Sequence, residues 1–450
     1  MPNTYLSKDY TTNPTNGAIA NFSVWLKRGN LGARNKIIGA YDGGAAGQYL
    51  EFFTDNTIRY HSGNGLNTTN AVFRDTSAWY HIVVLHNTGG SGASNQVKIW
   101  VNGNLQSLST NSGATVNSQI GKNSVKTVIG VEESAYSSSY FDGSMSHFHF
   151  IDGTAYDATA FGQYDANGVW KIKTSPSVTY GTNGFFILKD GNSVTDQSPN
   201  TNNFTVGGGT LTNTEDSPSN VFSTWNSLLS YGSTMSLANG NTTANTSSSH
   251  EASKFLSFYN SLGMTNGKYS AEFKITSNAN QSLIGISSNF GDDVLGSTSS
   301  AYNFIYKGNG WGYYGSNGNV FHTNSDTQLS YGNSLANNDI LGVALDLDNL
   351  KLYFSKNGVW QNSANPVTGS GDVVSAGAKA LNGSGSTGTY FFSCADFDQG
   401  AVCNVQANFG NGYFGTTAVS SAGTNASGIG IFEYDVPTGY TALSTKGLNL

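Results

Sequence analysis

"LGVALDLDNLKLYFSKNGVW", residues Leu341 to Trp360, decides the fold. Leu341, Val343, Leu345 and Leu347 recur at every second position, the period of a strand with one buried face. Asp348-Asn349 interrupts the pattern with two turn-forming residues. Leu350, Leu352 and Phe354 resume it, and Lys356-Asn357-Gly358 marks the next turn. The stretch therefore predicts a β-hairpin that offers one face to a core. It carries almost nothing reactive, since Asp346 and Asp348 share a face but sit at a turn.

The same grammar extends in both directions. "GKYSAEFKI" (267–275) places Tyr269, Ala271, Phe273 and Ile275 on one face, and "SLIGISS" follows. Nearer the start, "FSVWLKR", "YLEFFTDNTIRYH" and "WYHIVVLHN" read as strands, the second with a Thr-Asp-Asn turn in its middle. In "QVKIWVNGNLQSL", Val97, Ile99 and Val101 alternate with Lys98 and Trp100, and Asn102-Gly103 is a strong hairpin signal. Regular short strands with turns between them predict sandwiches or barrels.

Composition agrees. A chain of 450 residues has room for about two or three domains. Hydrophobic residues are 37% and charged residues 11%, which argues against disorder driven by charge. Abundant Gly (56), Tyr (24) and Phe (25) with only 7 Pro favour an all-β chain. The net charge of −7 and the absence of a basic stripe argue against a nucleic-acid partner. No basic-then-apolar leader and no apolar run of roughly 20 residues occurs, so no membrane insertion is expected. The expected division is a first sandwich over 1–175, a linker or returning β-segment over 176–222 grouped with it, and a second sandwich with a C-terminal tail over 223–450.

Two resemblances follow from these segments. "FSVWLKR", "WYHIVVLHN", "VKIWVNG" and "FDGSMSHFHFIDGTAY", in this order, resemble the laminin-G-like, concanavalin A-like lectin/glucanase superfamily over about residues 5–170. The 341–360 hairpin, with "IGISS", "YFFSCADF" and "VQANFGNGYF", resembles the SPRY family over about residues 230–415. The tail "YDVPTGYTALSTKGLNL" resembles those of marine phage proteins. The resemblances imply two antiparallel jelly-roll β-sandwiches in tandem. They further imply a non-enzymatic virion protein (tail fibre, spike or capsid fibre) exposed on the particle, among other virion proteins, as a homo-oligomer with a trimer favoured. Its expected partner is a host surface glycan or protein. A purely structural or decoration role, a glycan depolymerase and a secreted surface lectin stay open as alternatives.

Candidate chemistry is sparse. Glucanases of this superfamily carry acids at alternate strand positions, yet no Glu-x-Asp-x-Glu occurs. Glu132-Glu133 are adjacent and point apart, and Glu433 and Asp435 have i, i+2 spacing but lie in the tail. His147 and His149 share a strand face and could chelate a metal, although outward-facing strand residues fit them better. Many laminin-G-like domains hold calcium, and Asp42, Asp75, Asp142 and Asp152 lie beside strand ends, where turn formation is the competing reading. Otherwise no cofactor is expected. Cys394 and Cys403 face each other if 397–400 form a hairpin turn, either as buried thiols or as a cross-strand disulfide.

Sugar binding is the better chemistry. Aromatic rings cover apolar CH faces, while Asn and backbone groups meet hydroxyls. Trp311, Tyr313, Tyr314 and Asn317 in "GNGWGYYGSNGNVFH" have that character, as do Tyr136 and Tyr140 in "ESAYSSSYFDG". Trp311 and Tyr313 share one strand face, so one of the two faces there belongs to the core.

Overall fold

The computed structural model describes residues 3–44, 47–189, 193–228, 236–245, 257–289, 304–305, 309–322, 328–396 and 402–450. The chain divides into two compact units, 1–213 with 217–219 and 214–216 with 220–450. Both are β-sandwiches. No helix among the described residues is long and apolar enough to cross a membrane.

The first unit contains β1 (Tyr5–Asp9), β2 (Ile19–Arg28), β3 (Asn35–Ala40), β4 (Gln48–Phe52), β5 (Thr57–Ser62), β6 (Gly65–Val72), β7 (Trp79–Asn87) and β8 (Val97–Val101). It continues with β9 (Asn104–Leu105), β10 (Leu108–Asn111), β11 (Lys126–Ile129), β12 (Gly143–Asp152), β13 (Gly162–Tyr164), β14 (Trp170–Ile172), β15 (Phe185–Ile187) and β16 (Thr205–Gly208). One antiparallel sheet runs β10-β6-β5-β4-β3-β11-β1-β16 and the other β15-β12-β2-β7-β8-β9. Phe22, Val24, Ile38, Leu50, Ile82 and Ile99 are fully buried in one core cluster of this unit. Asn102 and Gly103 both take positive φ (49° and 80°), the turn the Asn-Gly pair requires, between β8 and β9. The 176–222 segment supplies β15, which pairs with β12, and β16, which pairs with β1.

The second unit contains β17 (Ser236–Ala238), β18 (Thr243–Asn245), β19 (Ser257–Tyr259), β20 (Lys268–Ser277), β21 (Ser282–Ser287), β22 (Gly310–Tyr314), β23 (Val320–His322) and β24 (Gln328–Leu329). It ends with β25 (Ile340–Asp346), β26 (Lys351–Lys356), β27 (Val359–Trp360), β28 (Phe391–Asp396), β29 (Asn404–Asn408), β30 (Tyr413–Phe414), β31 (Thr417–Ala418) and β32 (Thr441–Ala442). One sheet runs β17-β18-β29-β20-β25-β26-β27, with β32 joined parallel to β20; the other runs β19-β28-β21-β22-β23-β24. The hairpin of β25 and β26 has the expected register, with Val343 opposite Phe354 and Leu345 opposite Leu352. Leu341, Val343, Leu345, Leu352 and Phe354 are buried in the core, whereas Leu350 sits in the turn with φ +55° and packs only at its margin.

The β20 strand shows how a tail changes a sheet. Its Tyr269, Ala271 and Phe273 point into the main core. Its other face, Ser270 and Glu272, is also buried. The C-terminal segment supplies Phe432, Val436 and Tyr440, which pack with Tyr353 and Ala344 into a second, smaller apolar cluster.

Candidate functional site

Trp311 and Tyr313 are 1% and 0% exposed and belong to the core of the second unit. Trp311 Nε1 donates to Lys379 O at 2.8 Å, and the Tyr313 hydroxyl donates to Asn333 O. Rings enclosed on both sides have no face left for a sugar. Tyr314, on the opposite face, is half-buried in edge contact with Phe321, while Asn317 is exposed and its amide donates to Gln328 Oε1 at 2.7 Å.

The aspartates proposed for calcium do not come together: no group of three or more His, Cys, Asp or Glu side chains placed for a metal occurs among the described residues. Asp42 pairs with Lys122 at 2.8 Å, and Asp75 accepts from Ser77 N in a local turn. Asp142 lies half-buried with its backbone N–H on Asn35 Oδ1. Asp152 is buried and accepts from Thr15 N, Asn16 N and Asn183 N, so its carboxylate clamps two loops.

His149 is buried, not outward-facing, and stacks on Phe186 at 3.9 Å with Nδ1 2.9 Å from the Tyr180 hydroxyl. A bulge between Ser146 and His149 puts His147 at φ +49°, so the pair no longer has simple strand geometry. Cys394 lies on β28 and Cys403 just before β29, and these strands belong to opposite sheets. The two are therefore not cross-strand neighbours in one hairpin. Both are buried thiols. The turn residues 397–400 lie outside the described residues.

Tyr136 and Tyr140 remain available. Both are half-exposed, and Tyr136 stacks on half-exposed Tyr5 with centroids 6.3 Å apart and planes 14° from parallel. Tyr5 in turn lies flat against Gly207, where a Cβ would sit 2.2 Å from its ring. The Tyr140 hydroxyl donates to Tyr136 O at 2.9 Å. Tyr136 holds φ +55°, an uncommon value for a bulky residue and one that needs support from its surroundings.

That support is ionic. The loop carrying Tyr136 also carries Glu133, whose Oε2 lies 3.1 Å from Lys36 Nζ. Lys36 Nζ is 3.6 Å from Glu51 Oε2 as well, and Arg34 reaches Glu51 at 2.9 Å. Lys36 and Glu51 are each 1% exposed, so the loop is pinned to the sheet by a desolvated cluster. Burial raises the Glu133 carboxyl above its ordinary range, with Lys36 opposing, and lowers Lys36. Glu132 accepts from Ser134 N and Ala135 N and shapes the same turn. The result is a rigid tyrosine platform, suited to stacking on an apolar ligand face.

The second unit has a cleft that the sequence reading missed. It is shallow and opens to solvent. Ser270, Glu272, Gly342 and Ser355 form its floor, with Trp360 and Tyr434 among its walls. Both aromatic walls are half-buried. Glu272 fastens the tail that roofs it: Oε2 accepts from Glu433 N and Oε1 from Tyr434 N, each at 2.8 Å, and Asn408 Nδ2 adds a third bond at 3.2 Å. Burial pushes the Glu272 carboxyl up to about 7 against these donors. Tyr434 lies on Gly358, at φ +80°, where a Cβ would meet its ring at 2.6 Å. Trp360 ends the hairpin that set the fold, which was its only signal in the sequence.

The fold defines a tandem of β-sandwich domains. Residues 4–159 match the concanavalin A-like lectin/glucanases superfamily through its laminin-G-type domain, and residues 272–374 match the SPRY domain. The chain thus carries a laminin-G-like domain followed by a SPRY domain. No curated protein matches it. Among solved structures it is similar to the SPRY domain of human HERC1 (17% identity, 41% of this chain and 96% of that one, TM-score 0.28). It is also similar to a heptameric SAP-like pentraxin from Limulus polyphemus (14%, 34% and 71%, TM-score 0.25). A third is a putative carbohydrate binding protein from Bacteroides ovatus ATCC 8483 (14%, 47% and 60%, TM-score 0.30), of whose length this chain spans less than two thirds. Likenesses this low transfer neither ligand nor activity.

Proposed function

We infer that this chain is a non-enzymatic binding protein of a phage particle, part of a tail fibre, spike or capsid fibre, that adheres to glycans on the host surface. The observation that carries the adhesive part is the Tyr5–Tyr136–Tyr140 platform, in which two half-exposed tyrosines of a loop locked by buried charges meet Tyr5 of β1. A pre-formed aromatic surface loses little freedom when a sugar ring settles on it. The particle assignment rests on the pairing of the two domain types and on a chain rich in Asn, Ser, Thr and Gly with 11% charged residues. Single-ring contacts are weak, and copies arrayed in a homo-oligomer, a trimer by preference, multiply them by effective concentration. Other virion proteins are its structural neighbours.

The test is incubation of the purified protein with a panel of bacterial surface polysaccharides, scoring both retention and release of new reducing ends. Retention without release is expected. Release would replace the adhesin with a depolymerase, and neither signal would favour a structural role or a protein receptor.

A further inference from the structure

We propose that the cleft under the C-terminal strap of the SPRY unit binds an organic ammonium group, a site separate from the tyrosine platform. Three features of the cleft argue for this ligand. First, its charge is one-sided: Glu272 and Asp435 line it, and no Lys, Arg or His among its described lining residues balances them. Glu272 is buried and held by three N–H donors, with no cation paired to it among the described residues. Buried carboxylates are ordinarily paired with a positive group, and this one has only N–H donors among the described residues.

Second, Trp360 and Tyr434 face the same space. Aromatic faces attract ammonium groups, and an indole does so best. Third, Ser270 is 6% exposed, lines the cleft, and its Oγ has no hydrogen-bond partner. A buried hydroxyl without a partner is costly, and a ligand N–H would satisfy it. Ser270 and Glu272 are two residues apart on β20, so both project onto one face toward the same ligand.

The groups facing Glu272 are known on every side. On the strap, Glu433 is bound to Ser420 and Asp435 to Thr424, and Tyr434 is a neutral phenol. On the flanking strands, its neighbours are Gly342 and Asn408. Binding of a fixed cation therefore depends on the ionisation of Glu272. With that carboxyl near 7, the ionised fraction rises about tenfold between pH 6 and pH 8.

The experiment titrates the full chain with tetramethylammonium, whose charge does not vary with pH, and with tert-butanol as its neutral counterpart. The Ser270 and Tyr434 amides and the Trp360 indole N–H are followed by NMR. Saturable shifts with tetramethylammonium alone are expected, about tenfold tighter at pH 8 than at pH 6. Trp360→Ala should weaken them while the Glu433 and Tyr434 amides keep their positions. Glucosamine and Nα-acetyl-lysine amide then distinguish a sugar amine from a protein side chain as the source. No saturation, equal shifts with tert-butanol, or equal affinity at the two pH values would overturn the proposal. None of these outcomes bears on the tyrosine platform.

Discussion

Acid should weaken the laminin-G-like unit well before it reaches ordinary carboxylate range. His81, His86 and His149 are 0%, 0% and 2% exposed. Burial lowers His81 to about 3 and His86 to about 4, and pushes His149 well below its ordinary value, with the neighbouring His147 and His81 adding to the effect. Each ring has a nitrogen in a hydrogen bond: His86 Nδ1 lies 2.8 Å from the Tyr60 hydroxyl and His149 Nδ1 2.9 Å from that of Tyr180. His81 Nδ1 accepts from Trp170 Nε1 at 2.9 Å, so its Nε2 carries the proton and donates to Ser23 Oγ. In the unfolded chain the same rings titrate near 6.5. The folded values are depressed, so their contribution is complete above about pH 6.5 and drains away as pH falls toward the folded values. Between pH 7.5 and pH 5.5 each buried ring costs about 1.4 kcal/mol, and the three together about 4 kcal/mol. His61 is also lowered, but it is half-exposed and is left out for solvent screening. Glu133, raised by burial, acts in the opposite sense and trims the total. For a unit of this size 4 kcal/mol corresponds to roughly 8–16 °C in Tm. Scanning calorimetry at the two pH values reads the shift, and hydrogen exchange along β2 and β7 assigns it to this unit. His81→Gln should remove about a third of the pH slope whatever it does to absolute stability. A first-unit Tm unchanged or higher at pH 5.5, or an unaltered slope in the variant, would refute the reasoning.

The SPRY unit should respond with the opposite sign, because Glu272 is raised to about 7. Its contribution is fully present below the ordinary carboxyl value of about 4.3 and drains away as pH rises through about 7, about 2 kcal/mol between pH 5.5 and pH 7.5, measurable as weaker exchange protection of 433–442 at the higher pH. Glu272→Ala removes the acceptor for two backbone N–H groups and should lower protection of the strap by about 2–4 kcal/mol, while β25 and β26 change less. Trp311→Ala should cost about 3–5 kcal/mol in urea denaturation, the behaviour of a core residue, and leave affinity for a retained polysaccharide unchanged in the folded fraction. Burial raises both cysteine thiols, so a thiol reagent should label neither in the native protein and both after denaturation.

The sandwiches were legible because a two-residue period survives in the strands that meet the cores. Val97, Ile99 and Val101, or Tyr269, Ala271 and Phe273, need no partner to be known before they are assigned to one face. The opposite face is where reading failed. Alternation shows that Ser270 and Glu272 oppose Tyr269, but not that a segment some 160 residues later covers them. His149 was misplaced for the same reason, since Tyr180 lies over it. Trp311 and Tyr313 sat in a Gly- and Asn-rich setting that suggested a binding loop, whereas β22 is an inner strand of its sheet with both faces occupied. The cysteines are the buried thiols that one reading gave them, but the hairpin offered for them fails because β28 and β29 lie in opposite sheets. Tyr136 and Tyr140 were legible as loop aromatics, but Tyr5, which completes their platform, is distant in sequence.

The central claim is that this platform holds a glycan. Titration calorimetry of a retained polysaccharide against the wild-type chain and Tyr136→Ala tests it most directly. Loss of a stacking ring should weaken binding at least about tenfold, a change of roughly 1.4 kcal/mol, with the fold intact. Equal affinity of the two proteins would contradict the account and remove the platform as the binding site.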